Sequence, residues 1–301
     1  MTSAVQPRQA TSPGTVPKEW VHKSNHAEVL LTDWRPAGDD TAVVTARWPG
    51  DHPFYLSHHG LYDPLLLVET IRQTVPLLSH AAYGIPFDHR LGWDSFRLDL
   101  VPAALRITEE PAEPLLQVTR TLTRRRALGS ARHHTRITAT LGGNHLATAD
   151  LSFTNFPPAV YRRLRGPYAD PLQALSRALP PSPPVPASRV ERHRPDDVLL
   201  SPTGAPDQWL LRVDPAHPIL FDHPLDHIPG MLILEAARQA THAARPGPVL
   251  LAGINAAFHR YAELDRPCLL HTRSAPPGLH LTAQQDGRKV FTATVTTDTP
   301  H

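Results

Sequence analysis

"HIPGMLILEAARQAT", His227–Thr241, is the stretch whose reading decides the fold. Its first half has the almost unbroken apolar character of a helix buried on nearly all sides, yet Glu235, Arg238 and Gln239 follow within two turns. Residues at i, i+3 and i+4 share one helix face, so the acid, the base and the amide project together. Pro229-Gly230 opens the segment, the glycine allowing another backbone or a ligand to come close. Arg245-Pro246-Gly247 supplies the stop.

The same pattern occurs earlier in the chain. "DPLLLVETIRQ", Asp63–Gln73, sets Glu69, Arg72 and Gln73 opposite Glu235, Arg238 and Gln239. Asp63 is the expected N-cap and Pro64 takes the first helical position, while Pro76 predicts a kink or an end to the regular helix near Gln73 and Thr74. Other pieces recur in step: "EVLLTDW" (Glu28–Trp34) with "DVLLSPT" (Asp197–Thr203), and "HPFY" (His52–Tyr55) with "HPIL" (His217–Leu220). Each half ends in alternating apolar positions about a tight turn, "GGN" in the first and Asp286-Gly287 in the second. The order per unit is strand, strand, helix, then antiparallel strands, which predicts an α+β duplication with one long helix per sheet.

The boundaries follow from composition. Residues 1–20, polar and proline-containing, are expected as a loose arm, 21–165 as the first unit and 196–301 as the second. Residues 166–195 hold a proline run unsuited to a helix or central strand and are expected as a linker. "RRLR", Arg162–Arg165, just before it, reads as a solvated face.

Composition limits the function classes. Of 301 residues, 41% are apolar and 19% charged, as in a soluble globular protein, and no apolar run is long enough to span a bilayer. No secretory signal is visible, and a single cysteine, Cys268, excludes an intrachain disulfide and a multi-cysteine zinc site, so a cytoplasmic protein is expected. Cys268 itself reads as a buried strand residue. The net charge is +2 and only Lys18, Lys23 and Lys289 are lysines, so arginine supplies nearly all the positive charge. That suits bidentate contacts to phosphate or carboxylate; a nucleic-acid reader would concentrate a larger excess on one element.

The chemistry has a bland and a sharp reading. A Glu-Arg pair can satisfy itself at a domain interface, where it is worth tenths of a kcal/mol, about 0.2–0.5. Two such pairs at matching places in two buried helices are costly to maintain and point to use. A buried carboxylate has its pKa raised by desolvation and lowered by the neighbouring arginine, and either protonation state serves general acid-base chemistry. Free amides near Gly230 suit a developing oxyanion, and an arginine one turn on suits a phosphate. His223 and His227 lie directly before this helix; they read either as incidental, among 19 histidines, or as reaching a site at its N-terminus. With Asp222 and Asp226 they lack the i, i+4 helical pairing of familiar zinc sites, so no metal is expected. Neither a serine-nucleophile elbow nor a phosphate-binding P-loop is present. The arginine-rich stretch Thr119–Arg136 reads as a charged sheet edge or as a docking surface for an acidic partner such as a carrier protein.

At "DHPLDHIPGMLILEAARQ" the chain resembles hot-dog fold enzymes, in which a sheet wraps a long helix, and within them the β-hydroxyacyl carrier-protein dehydratases. In those, a loop histidine and a helix carboxylate of the neighbouring subunit form the site. Glu235 matches the carboxylate, and His223 matches the histidine only if the loop is about two residues shorter. "VHKSNHAEVLLTDWRP", "DPLLLVETIRQ" and "DHIPGMLILEAARQ", in that order, resemble the A-factor biosynthesis (AfsA) family of actinomycete signal synthases over nearly the whole chain. The resemblance implies a tandem double hot-dog fold whose halves pack as a pseudo-dimer. It also implies transfer of a β-ketoacyl group from acyl carrier protein to the hydroxyl of dihydroxyacetone phosphate, on the way to γ-butyrolactone, butenolide or furan signals, with no cofactor.

The family's motif acids and arginine fall on Glu69, Glu235 and Arg238. The roles then expected are Glu235 as base, amides near Gly230 for the oxyanion and Arg238 for the phosphate. Glu69 completes that site or supports the fold, and Arg72, Gln73, Gln239, His223 and His227 contact substrate. A thioesterase or dehydratase, or a non-catalytic acyl binder, is the alternative.

Overall fold

The computed structural model describes residues 14–298 except 246 and 248. The first half holds β1 (Leu31–Pro36), β2 (Thr41–Ala46), α1 (Pro64–Ala81), β3 (Arg90–Leu100), β4 (Leu115–Arg125), β5 (Ala131–Leu141) and β6 (Asn144–Phe156). Two short helices, α2 (Pro158–Arg165) and α3 (Pro171–Ser176), lead to the second half. There β7 (Leu200–Pro202), β8 (Gln208–Leu211), α4 (Gly230–Ala243), β9 (Leu250–Phe258), β10 (Leu269–Ala275), β11 (Gly278–Gln285) and β12 (Arg288–Asp298) repeat the order.

All twelve strands join one antiparallel sheet, β1-β2-β4-β5-β6-β3-β9-β12-β11-β10-β8-β7. Read outward from the centre, the two halves have the same strand order, so the molecule is a double hot-dog with a pseudo-twofold axis at the β3–β9 pair. There Phe96 faces Ala256 and Leu98 faces Ile254. A Cβ on Gly253 would lie 2.7 Å from Thr296 Oγ1 and 2.9 Å from the Leu98 carbonyl oxygen; glycine is what permits the strands to meet so closely.

The strands alternate as their sequences predict. β2 and β12 bury every second residue, and that face packs on the helices. The turns are the expected ones: Gly142 and Gly143 have φ of 56° and 78°, Asp286 and Gly287 of 49° and 71°, the left-handed pairs that match strand twist. α1 and α4 are buried almost throughout.

Four expectations differ from the structure. Pro76 does not end α1, which runs on to Ala81; packing on all sides holds the helix despite one lost backbone bond. The expected linker is partly the opening of the second half. Val185 donates to the Leu200 carbonyl (2.9 Å) just as Val16 donates to that of Leu31 (3.0 Å), and three-ten turns at Ala187–Val190 and Lys18–Val21 correspond. Residues 14–20 of the expected arm are therefore packed, while 1–13 lie outside the described residues. Finally, the arginine-rich stretch is not at an edge. β4 and β5 are interior strands, and Arg120, Arg132 and Arg136 pair with Asp40, Asp94 and Asp150. Cys268 is buried one residue before β10, and burial pushes its thiol up to about 12.

Candidate active site

The two polar trios are nearly superimposable in their bonding. On α1, Glu69 accepts from Arg72 Nε (2.7 Å) and Nη2 (2.8 Å) and from Gln73 Nε2 (3.0 Å). On α4, Glu235 accepts from Arg238 Nε (2.9 Å) and Nη2 (3.0 Å) and from Gln239 Nε2 (2.7 Å). Each glutamine also receives a backbone N–H and donates to a carbonyl of its opening segment: Leu30 and Glu28 for Gln73, Leu199 and Asp197 for Gln239. Fully buried and fully bonded, Gln73 and Gln239 fix the helices to the first strands. The expected substrate contact is not theirs.

A further cation completes each cluster, and sequence reasoning missed both. Lys23 Nζ lies 3.1 Å from Glu69, and Arg192 Nη2 lies 2.7 Å from Glu235. They stand at matching places, two residues after Val21 and Val190, in "VPKEWVHK" and "VPASRVER". Burial alone would raise both carboxyls. Arg72 and Lys23 nevertheless hold Glu69 well below the usual carboxylate range, and Arg192 and Arg238 bring Glu235 down to about 2.

The repeated "HP" pairs are also structural. His52 Nδ1 accepts from the Phe54 and Tyr55 amides, and His217 Nδ1 from those of Ile219 and Leu220. Each opposite ring nitrogen faces an acid, Glu28 or Asp197.

What surrounds the clusters differs. A cavity of about 640 Å³ opens beside Glu69, lined by His22, Lys23, Tyr55 and Arg72 from the first half. From the second half come His223, His227, Gly230, Met231 and Ile233. Beside Arg238 there is a pocket of about 40 Å³, lined by His58, Asp63, Glu191 and His242. Arg72 is 22% exposed and Arg238 4%. Among the described residues Arg72 Nη1 makes no hydrogen bond, whereas Arg238 Nη1 donates to His242 (3.1 Å) and lies 3.8 Å from Glu191.

The helix starts explain the asymmetry. Asp63 caps α1 by accepting from the Leu65 amide (2.8 Å), and its other oxygen lies 3.5 Å from Arg192, so a carboxylate fills the second site. The corresponding residue before α4 is Pro229, which offers no side-chain cap. Among the described residues no side chain caps the first turn of α4, which begins at Gly230 on the cavity wall, a dipole end suited to negative charge. A Cβ on Gly230 would lie 3.3 Å from the Phe258 ring.

The loop before α4 is pinned from both halves. Asp222 accepts from the Asn25 amide (3.0 Å). Asp226 accepts from Tyr161 (2.6 Å) and Arg165 (3.0 Å) and lies 2.7 Å from His227 Nδ1. Arg165 also binds Glu263, so this member of the expected solvated "RRLR" face is a buried anchor, while Arg162 and Arg163 are exposed. His223 is kept neutral by burial and by Arg72, with Nδ1 buried, unbonded and 3.6 Å from Asp222.

The geometry thus corrects the expected single constellation of Glu235, Arg238 and Gly230. Gly230, His223 and His227 come together with Glu69 and Arg72 across the halves, while Glu235 and Arg238 are sealed in the other cluster. Among the described residues no group of three or more His, Cys, Asp or Glu is placed to hold a metal, and no helix is long and apolar enough to cross a membrane.

Known proteins show the same architecture. An oleoyl thioesterase from Lactobacillus plantarum aligns over 88% of this chain and 99% of its own at 11% identity and a TM-score of 0.54. A 12:0-ACP thioesterase from Umbellularia californica aligns over the same shares at 10% identity and 0.52; at such identities the likeness concerns the fold. Two proteins named 2-oxo-3-(phosphooxy)propyl 3-oxoalkanoate synthase are much nearer. That of Streptomyces virginiae is 41% identical over 94% of this chain and 97% of its own length. That of Streptomyces coelicolor is 37% identical over 93% and 90%. The A-factor biosynthesis hotdog domain matches twice, over residues 4–157 and 174–299, one match per half of the pseudo-dimer, and the chain belongs to this AfsA family.

Proposed function

We propose that the protein transfers a 3-oxoacyl group from a carrier-protein thioester to the hydroxyl of dihydroxyacetone phosphate, yielding a 2-oxo-3-(phosphooxy)propyl 3-oxoalkanoate. The observation that carries this reading is the cavity between the Glu69–Arg72–Lys23 cluster and the uncapped start of α4. The names of the Streptomyces relatives support the product.

The cavity supplies what such a transfer needs. Arg72, with a free guanidinium nitrogen, Lys23 and Arg90 form a cationic end for the phosphate, and Glu69 holds the first two in place. The α4 amides beside Gly230 receive the oxyanion formed when the thioester carbonyl is attacked. Leu91, Trp93, Ile219 and Phe258 line an apolar region for the acyl chain. His223 and His227, at the start of α4, border the thioester.

The mouth suits an acidic carrier. His259 and Arg260 line it and are exposed. Leu164, 55% exposed, lines it too and directly follows the exposed Arg162 and Arg163 in sequence. Charge of this sign steers an acidic partner, and the leucine offers an apolar contact.

The test is to mix the purified protein with a β-ketoacyl thioester, on carrier protein or a short mimic, with and without dihydroxyacetone phosphate, and to follow products by mass spectrometry. A phosphorylated ester that requires the acceptor and disappears in Glu69→Gln is the expected result. Hydrolysis or dehydration independent of the acceptor would sink the reading.

A further inference from the structure

His22 lies outside both polar trios. It ends the Lys18–Val21 turn in the left-handed region, at φ 53° and ψ 50°, where a non-glycine residue is uncommon and is held by its surroundings. Its ring lines the cavity, and its Nε2 lies 2.8 Å from Nε2 of His80, in the last turn of α1.

The hydrogen positions on this pair are forced. His80 Nδ1 lies 2.6 Å from the Ile85 carbonyl oxygen; a carbonyl accepts, so His80 Nδ1 carries a hydrogen. Burial lowers the His80 pKa, the Ile85 bond opposing it, and in the neutral ring the lone pair falls on Nε2. His22 Nε2 must then donate to it. Burial, His80 and Arg72 push His22 down to about 3, so this ring too is neutral near pH 7 and its lone pair falls on Nδ1, which makes no hydrogen bond among the described residues.

The acids around the cavity are already engaged. Glu69 holds Arg72 and Lys23, Asp94 holds Arg132 and Thr154, Glu263 holds Arg165, and Asp222 and Asp226 bind the loop. His223 Nδ1 is buried, and His227 turns Nδ1 to Asp226 and packs its ring on Tyr261 at the start of α4, not at the cationic end. Dihydroxyacetone phosphate brings a hydroxyl donor that needs an acceptor beside the cationic end.

We propose that His22 is the general base of the acyl transfer, receiving the hydroxyl proton at Nδ1, and that His80 is a positioning residue that fixes its tautomer. This rests on the acyl-transfer reading above. The hydroxyl oxygen bonds to the thioester carbonyl carbon and its proton passes to Nδ1. The C–S bond breaks, and the proton moves from Nδ1 to the departing thiolate, returning His22 to neutrality. A phosphate seated against Arg72 and Lys23 offsets the positive charge that opposes a proton on His22, so the base is strengthened by the phosphorylated acceptor itself.

Two measurements test it. In protein labelled with 15N-histidine, ring 1H–15N spectra are expected to show His22 protonated at Nε2 and bare at Nδ1, with His80 the reverse; a hydrogen on His22 Nδ1 overturns the proposal. His80→Phe is expected to let His22 populate both tautomers and to lower kcat, a spectral change that lost packing alone does not produce. In the transfer assay, His22→Asn tolerates the left-handed backbone and keeps an accepting oxygen, but an amide is not basic. It is expected to lower kcat about 100-fold while the KM for dihydroxyacetone phosphate stays near wild type, whereas His22→Phe loses both. An unchanged kcat in His22→Asn overturns the base role. A wild-type protein that forms no ester overturns the acyl-transfer reading itself, and the spectra still decide the arrangement of the two rings.

Discussion

The Glu69 and Glu235 clusters are built from the same parts and stand in different surroundings. Both have a helix glutamate, an arginine one turn on, a glutamine tying the helix to its first strand, and a cation from the opening segment. Around Glu235 protein side chains leave only a pocket of about 40 Å³: Asp63 faces Arg192, and Glu191 and His242 close over Arg238. Around Glu69, among the described residues, no side chain caps α4, Arg72 Nη1 makes no hydrogen bond, and a cavity of about 640 Å³ takes the place of those side chains. Of the two matching clusters, one is packed round by side chains and the other faces a cavity. Charges so enclosed stabilise only while all partners remain, whereas charges facing a cavity are available to a ligand.

The comparison breaks most sharply at the two glutamates. Glu69→Gln is expected to reduce ester formation about 100-fold or more, measured by initial rate, while the protein stays folded. Glu235→Gln leaves Arg192 and Arg238 buried against a neutral amide and is expected to cost about 3–5 kcal/mol of stability, measured by urea unfolding. If Glu235→Gln abolished transfer with an unchanged unfolding midpoint, the division of labour would be wrong.

Next in size is Arg72→Met. It removes one charge-assisted contact to the phosphate, about 1.5–3 kcal/mol, so the KM for dihydroxyacetone phosphate should rise roughly tenfold to 100-fold. Arg238→Met should move stability instead and leave the acceptor KM of the surviving folded protein alone.

Acid unfolding reads the pairing at Glu235 directly. Despite burial, Arg192 and Arg238 lower Glu235 from 4.5 to about 2, so the native state binds fewer protons than the unfolded chain in that window. Its stabilisation is complete above about 4.5 and is lost as pH falls through about 2. A plot of unfolding free energy against pH is expected to be flatter over this range in Glu235→Gln than in wild type.

The smallest effect is Asp63→Ala. Losing the α1 cap costs about 1 kcal/mol, read as a lowered Tm, and uncovers Arg192. Transfer at the Glu69 site should persist. A second, Glu235-dependent activity gained by this variant would show that filling alone silenced that site.

Much of this was legible in the text of the chain. Apolar runs around Glu69 and Glu235 marked two buried helices, i, i+3, i+4 spacing set each trio on one face, and the paired hairpin turns gave the sheet. Lys23, Arg192 and His22 were missed because they come from irregular segments without periodicity, one of them within a proline-rich stretch. Aligning "VPKEWVHK" with "VPASRVER" would have found the first two. The partnership of Gly230 with Glu69 was also available in principle, since in related hot-dog sites histidine and carboxylate come from different subunits; across a duplication that sets His223 beside the other helix.

By itself, the sequence determined the duplication, the fold and the identity of the charged trios, because these depend on local spacing and on burial patterns that any compact structure must respect. Tertiary structure alone decided which trio faces empty space. That depends on distant groups meeting across the pseudo-twofold: Asp63 on Arg192, Asp222 on the Asn25 amide, Glu191 beside His242. Such pairings carry no local period, and a buried carboxylate is a structural ion pair or part of a reacting site according to whether the space beside it is occupied.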